Sequence, residues 1–279
     1  MKGEHNLSQR VIKIKYKDGK EDMIDIGDRT SIDQYWLSEY KDYIKNHYYD
    51  IVSIEFPDGI TAIGDSACSE FPSLTSVILP EGLISIGDSA FFECMNLKHI
   101  NSPSTVQSIG DCAFCGTSIT SFTISPNTKK IGKEAFGSCD ELEEMIFPNT
   151  DIEIDTWALF AGCDNLKRVV LPDNVSIIRE CCFQNCHSLI DVNFPPNLTV
   201  IEDEAFNECH KLGPKVTIPE SVTDIGSYAF GQCTNIEEFV VKNPNATIGR
   251  GMLYGCYSIN TVSINGFMRN IKHIVDFDD

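Results

Sequence analysis

Residues 74–96 read LTSVILPEGLISIGDSAFFECMN, and the same sentence returns along most of the chain. Copies begin at Ile51, Leu74, Leu97, Ile119, Leu142, Leu166, Leu189, Leu212 and Ile236, 22 to 24 residues apart, and a truncated copy starts at Ile259. A period of that length belongs to supersecondary units stacked in a row, so the chain predicts a solenoid and not a globule around one central core. Within each unit Leu-x-x-Val-x-Leu alternates with a period of two, the signature of a strand with one face buried. Pro57, Pro80, Pro103, Pro148, Pro172, Pro195 and Pro219 follow that strand, and a residue without an amide hydrogen ends the ladder there.

Aligning the copies sorts the side chains into files. Ile63, Ile86, Ile109, Ile131, Ile154, Ile178, Ile201, Ile225 and Ile248 make one, and Phe91, Phe114, Phe136, Phe160, Phe183, Phe206 and Phe230 make another, the latter preceded by a small residue, usually Ala. A single coil has neighbours only above and below, so these side chains are buried by stacking alone. Nine coils at about 4.8 Å per step give a body roughly 43 Å long.

The full pattern, Leu-x-x-Val-x-Leu-Pro-x-x-Leu-x-x-Ile-Gly-x-x-Ala-Phe-x-x-Cys, is intact in residues 74–94 and nearly so in 189–209. It resembles the BspA-like leucine-rich repeat family. The resemblance implies a right-handed parallel leucine-rich repeat solenoid, mostly β with short helical turns. Because the better-known members are surface or secreted adhesins of bacteria and protists, it also implies a non-enzymatic protein-binding role, with no catalytic residue and no cofactor. Asp155, Arg179 and Glu202 stand in the Gly column, and Ser125, Lys242 and Asn265 in the Pro column. Three such non-glycines argue that the Gly column does not require a positive φ.

Three regions follow: an N-terminal cap over 1–50, nine repeats over 51–258, and a partial repeat with a tail over 259–279. In the cap, VIKIKYKDGKEDMIDIGD (11–28) holds two alternating runs around Asp18-Gly19, a strong hairpin signal. Ser31 then reads as a helix N-cap, with Ile32, Tyr35, Trp36, Tyr40, Tyr43 and Ile44 at helical spacing through His47. Hairpin and helix together would cover the open end of the array. The aromatic crowd of Tyr35, Trp36, Tyr40, Tyr43, Tyr48 and Tyr49 is alternatively a docking face. At the other end the pattern decays after Ile259, which predicts a thinner cap.

The formal charge is −19, and residues 51–279 carry 13 basic against 31 acidic side chains, −18 of the total. An acidic body repels nucleic acid and anionic lipid and favours a basic protein partner. Of twelve cysteines, Cys94, Cys139, Cys163, Cys186, Cys209, Cys233 and Cys256 share one column, where Phe71 stands in the first copy. They read as unpaired core filler, since side chains stacked in register are badly aimed for a disulfide. So many free thiols fit a reducing compartment or an anaerobic habitat. No stretch has the length of a signal peptide or a membrane span, so the sequence as written predicts a cytoplasmic protein, with the cell surface, reached by unconventional export or after loss of a leader, as the alternative.

Chemistry is sparse. Cys186-His187 above Cys209-His210 suggests four zinc ligands, but neighbouring side chains face opposite sides of the wall, so the thiols and imidazoles should not converge, and no metal site is assigned. Cys112-x-x-Cys115 lacks the strand-to-helix setting of a redox pair. Acidic residues recur after the Gly column at Asp65, Asp88, Asp111, Glu180 and Asp203, but one carboxylate per coil is too few for calcium. The sequons at Asn6, Asn174, Asn197 and Asn245 bear on a secreted eukaryotic protein only, and three of them repeat with the turn.

The positions that vary while the core repeats are the outward ones of the strands. The partner-binding face expected from them comprises His99 and Asn101, Glu144 and Ile146, Arg168 and Val170, Asp191 and Asn193, Lys215 and Thr217, and Glu238 and Val240. The competing reading is a solvated sheet whose β-formers are chosen for propensity, and the competing role an intracellular scaffold or assembly protein.

Overall fold

The computed structural model describes residues 10–36, 47–154, 156–264 and the backbone of 267–268. The repeats stack as a β-solenoid whose coils have three sides. On the first side the Leu-x-x-Val segments pair in parallel, each residue with its equivalent one repeat on: Ser53 with Ser76, Ser76 with His99, Glu144 with Arg168, Lys215 with Glu238. The second side carries the Ile file in two-residue strands, with Ile63 against Ile86, Ile86 against Ile109 and Ile178 against Ile201. In-register parallel pairing keeps every column on one side of the wall, which is why a repeating sequence yields a repeating core.

The third side, from the Ala-Phe pair to the Cys, is a run of turns and not a helix. A helix would close its N–H groups on itself; here Ser66, Cys68 and Glu70 donate to the carbonyls of Asp88, Ala90 and Phe92 in the next coil at 2.7–2.8 Å. Each coil reaches this geometry by putting two residues in the left-handed region: Ser66 and Glu70, Ser89 and Glu93, Cys181 and Asn185, and so on through Gly251 and Gly255.

The Gly column, two residues before the first of these, does not have a positive φ, as the non-glycines within it suggested. Its requirement is space. A Cβ on Gly87 would lie 2.5 Å from Asp65 Oδ1 and 2.7 Å from the Asp65 backbone nitrogen. The Asp carboxylate occupies that space because it accepts the N–H of its equivalent in the next coil: Asp65 from Asp88, Asp88 from Asp111 and Asp111 from Lys133, at 2.8–2.9 Å. The recurring acidic residues are therefore a hydrogen-bonded ladder between coils.

Inside, the Phe file is fully buried and stacked, with ring centroids 5.5 Å apart and 6° between planes for Phe91 and Phe114, and 4.9 Å and 9° for Phe206 and Phe230. All twelve cysteines are free. The column thiols donate to the carbonyl of the Phe in the preceding coil, Cys186 to Phe160, Cys209 to Phe183 and Cys256 to Phe230, each at 3.1 Å. A thiol thus fills a small apolar space and also satisfies a buried carbonyl, which Ala would leave with one partner fewer.

At the N-terminus the expected hairpin is present. Strand β1 (Val11–Tyr16) pairs antiparallel with β2 (Glu21–Asp25) and, on its other edge, with β4 (Ile51–Glu55) of the first coil. The expected helix start is corrected. Ser31 and Ile32 form a strand, β3 (Ser31–Ile32), pairing in parallel with Ala62–Ile63. Ile32 thereby heads the Ile file, and Trp36, 1% exposed, stands in the Ala column with its indole N–H donated to the Ala67 carbonyl at 2.7 Å. The spacing misled because a solenoid half-coil and the first turn of an amphipathic helix bury the same positions. Tyr40, Tyr43 and Ile44 lie outside the described residues. At the other end Phe267–Met268 runs antiparallel to Thr261–Ile264 and covers the last first-side strand.

Candidate functional site

The outward positions of the first side form the candidate interface. The strand that carries each one buries its inward neighbours, Met145 beside Glu144 and Ile146, and Val169 beside Arg168 and Val170, so the pleat alone turns the variable side chains outward. His99, Glu144, Arg168, Asp191 and Lys215 are exposed, while Val170, Thr217, Glu238 and Val240 are half-buried. Ile146 is 50% exposed and Ile78, three coils nearer the N-terminus in the same column, 48%.

Charges on this face meet across coils. Glu144 Oε1 lies 2.8 Å from Arg168 Nη1, and Lys215 Nζ lies 2.7 Å from Glu238 Oε1. Pairs this exposed contribute little to stability, but they offset one another, so the face around them carries less net charge than the rest of the molecule. Asn101 and Asn193 are placed differently from their neighbours. Asn193 accepts from the Leu171 N–H at 2.6 Å and donates to the Leu171 carbonyl at 2.9 Å, and Asn101 does the same to Leu79 at 2.7 and 2.8 Å. Each amide imitates a backbone unit and extends the ladder past the strand end, so these two hold the wall together.

The face is three sheets and not one continuous wall. The first sheet ends at His99–Ile100, the second runs from Glu144–Ile146 to Asp191–Val192, and the third begins at Lys215–Ile218, just after a cis Gly213–Pro214 bond. Residues 119–123 form no strand. There the wall opens into a groove of about 470 Å³ with the aromatic side chains of Phe122 and Phe147 beside it and Thr120, Thr123, Glu143 and Ile146 along its rim. The sequence marks both breaks as changes of repeat length, one residue lost near Cys115-Gly116-Thr117 and one gained near Gly213-Pro214.

The Cys-His pairs divide as expected: Cys186 and Cys209 are buried, whereas His187 and His210 stack outside the wall with centroids 4.7 Å apart. The His187 imidazole does find company, in Asp164 and Glu208. The sequence singles out neither: Asp164 stands in the column of His187 one coil earlier, whereas Glu208 lies in a left-handed column outside it. Cys112 and Cys115 are half-buried, and burial pushes the Cys115 thiol up to about 12, far from the low range of a reactive thiol.

Comparison with known proteins places this architecture. The model of the BspA type leucine rich repeat region matches residues 41–166 and 157–275, and the chain belongs to that family. Among solved structures, it is similar to a leucine-rich repeat protein from Bacteroides ovatus, with a TM-score of 0.60 and 25% identity over 90% of this chain and 69% of that one. A leucine rich cell surface protein from Faecalibacterium prausnitzii matches with a TM-score of 0.54 and 22% identity, over 90% and 80%. The leucine-rich repeat protein of T. pallidum matches with 0.51 and 24%, over 58% and 78%. No curated protein matches the sequence. Among the described residues no helix is long and apolar enough to cross a membrane.

Proposed function

We propose that this protein is a non-enzymatic recognition module that binds a protein ligand on the first side of its solenoid, as an adhesin or an adhesin-like receptor. The observation that carries the reading is the contrast within single strands. Inward positions repeat from coil to coil, while the outward ones change from Glu144 and Ile146 to Arg168 and Val170 to Lys215 and Thr217. Exposed Ile78 and Ile146 beside locally neutralised charge give such a face an apolar centre with a polar surround, the composition of a protein interface. With a formal charge of −19 over the chain, the ligand is a protein of basic surface, drawn in by long-range attraction. A place at the cell surface would match the Faecalibacterium protein that this chain resembles in fold, a leucine rich cell surface protein. Twelve free thiols favour a second reading, an intracellular scaffold in a reducing compartment.

The test is affinity capture with the chain as it stands and with a variant carrying Ser at Arg168, Asp191, Lys215 and Glu238 together with Ile146→Ser. Loss of the captured partner in the variant supports the face; identical recovery from both removes it. Protease treatment of intact cells then separates the two readings, since cleavage supports adhesion and protection supports the scaffold.

A further inference from the structure

On the edge of the wall, the column that follows each inward cysteine runs Asp140, Asp164, His187, His210 in successive coils. Two carboxylates give way to two imidazoles, and the junction is specific in its geometry. His187 Nδ1 lies 2.6 Å from Asp164 Oδ1. An ionised carboxylate only accepts, so Nδ1 carries the proton and, in the neutral ring, Nε2 is left as a bare lone pair. Nε2 lies 3.8 Å from Glu208 Oε2, too far for a hydrogen bond. Two electron-pair donors are therefore neighbours without a proton between them, at a separation close to that of two ligands on one cation.

His210 supplies the third donor. Its ring lies 4.7 Å from that of His187 with 9° between the planes, and one ligand atom from each of His187, Glu208 and His210 falls within 4.8 Å of the others. Metal–nitrogen and metal–oxygen bonds of about 2.1 Å put the corners of a tetrahedron about 3.4 Å apart, so the three donors close by roughly 1 Å on binding. Half-exposed side chains have that freedom. A metal lies near the plane of each ligating imidazole, so closure also turns the His210 ring out of the stack. A proton on Nε2 would bridge His187 to Glu208 but would leave His210 idle; a dication engages all three.

We propose that His187 Nε2, Glu208 and His210 bind one divalent transition-metal ion of the zinc class, with Asp164 holding the His187 ring from behind. Two imidazoles and a carboxylate suit zinc, nickel or copper and not calcium or magnesium, which take oxygen donors. The carboxylate behind a ligating histidine fixes the ring and raises its basicity. The site lies on the turns that lead into the first-side strands, shares no residue with the proposed recognition face, and stands or falls independently of the proposed ligand.

The experiment is zinc titration by calorimetry of the full chain in a background of Cys112→Ser, Cys115→Ser and Cys181→Ser, which removes the half-buried thiols that would compete. The expected result is one zinc per chain, lost in His187→Ala and in His210→Ala and weakened about 10- to 100-fold in Asp164→Asn. Cobalt(II) in place of zinc should show ligand-field bands without a sulfur charge-transfer band, and the imidazole proton resonances of His210 should shift as its ring leaves the stack. Circular dichroism of the metal-free variants, unchanged from the parent, shows that the coil edge still folds. No zinc uptake at micromolar concentration, or equal uptake by the His187→Ala/His210→Ala double variant, overturns the proposal.

Discussion

Two stretches of this solenoid solve the same stacking problem with different residues. From Ala62 to Lys133 the coils approach closely, with Gly at 64, 87, 110 and 132 and an Asp ladder passing from 65 to 88 to 111. From 177 to 202 the Gly column holds Arg179 and Glu202, and the ladder is rebuilt from side chains. Arg179 Nη1 donates to Glu202 Oε1 at 2.6 Å, and Glu202 Oε2 accepts the Glu180 N–H at 2.9 Å, reaching back where Asp65 reaches forward. Between the stretches the second strand side breaks, spanned among the described residues by a bridge of Lys130 with Glu153. The Phe column runs through fully buried, while the Ile column is only half-buried at Ile154. What the coils require in common is the apolar stack and a filled acceptor at each edge; how the edge is filled is free to change.

The shared core is the largest lever, and it is tested with pH. Burial holds the Cys94 and Cys182 thiols at about 12, above their ordinary 9.0. The unfolded chain releases those protons first, so the stabilising contribution is whole below pH 9 and disappears as pH rises from 9 towards 12, by roughly 1.4 kcal/mol per pH unit for each such thiol. Chemical denaturation at stepped pH in reductant should show stability falling steeply in that window and both stretches melting together. Separate transitions would mean that the break divides the array into two cooperative units.

A second lever separates the stretches. Gly87→Val forces a Cβ into the backbone of the preceding coil and is expected to cost several kcal/mol, on the scale of severe overpacking. Arg179→Gly, in the same column, should cost about 1 kcal/mol, because it removes one partly exposed pair. Equal losses in urea melts would show that the column plays one role throughout. Smaller is Asp88→Ala, which leaves the Asp111 N–H without its acceptor; about 1 to 2 kcal/mol is expected, and Asp88→Asn should restore most of it since an amide oxygen still accepts. Smallest is Glu134→Gly. Relieving a left-handed non-glycine there should raise stability by about 1 kcal/mol or less, and a fall would mean that the Glu134 side chain contributes more than its backbone costs.

Much of this was legible in the one-dimensional pattern. The Phe and Cys files, the Ile file from Ile63 to Ile131 and from Ile178 to Ile225, the hairpin at Asp18-Gly19 and the outward set from His99 to Val240 follow from period and alternation; Ile154 is only half-buried and Ile248, expected inside, is 37% exposed, since the last coils have little stacked beyond them. Three features did not. Ser31 and Trp36 were misread because an isolated half-coil has no repeat before it to set its register. The left-handed columns at Ser66 and Glu70 were invisible because their residues are Ser, Glu, Cys, Asn and Tyr more often than Gly: the conformation is imposed by the neighbouring coil's carbonyls, not by local preference. Asn101 and Asn193 were grouped with the face because position in a strand says where a side chain starts and not which backbone group it reaches.

The sequence by itself determined that the chain is an array and which columns turn inward, because a hydrophobic period is a local property repeated. Only the tertiary structure decided that the acidic residues are rungs between coils, that the face is divided in three, and that His187, Glu208 and His210 come together. Those depend on the few ångströms between consecutive coils, a distance set by the packing of side chains about 23 residues apart and written in no single copy of the repeat.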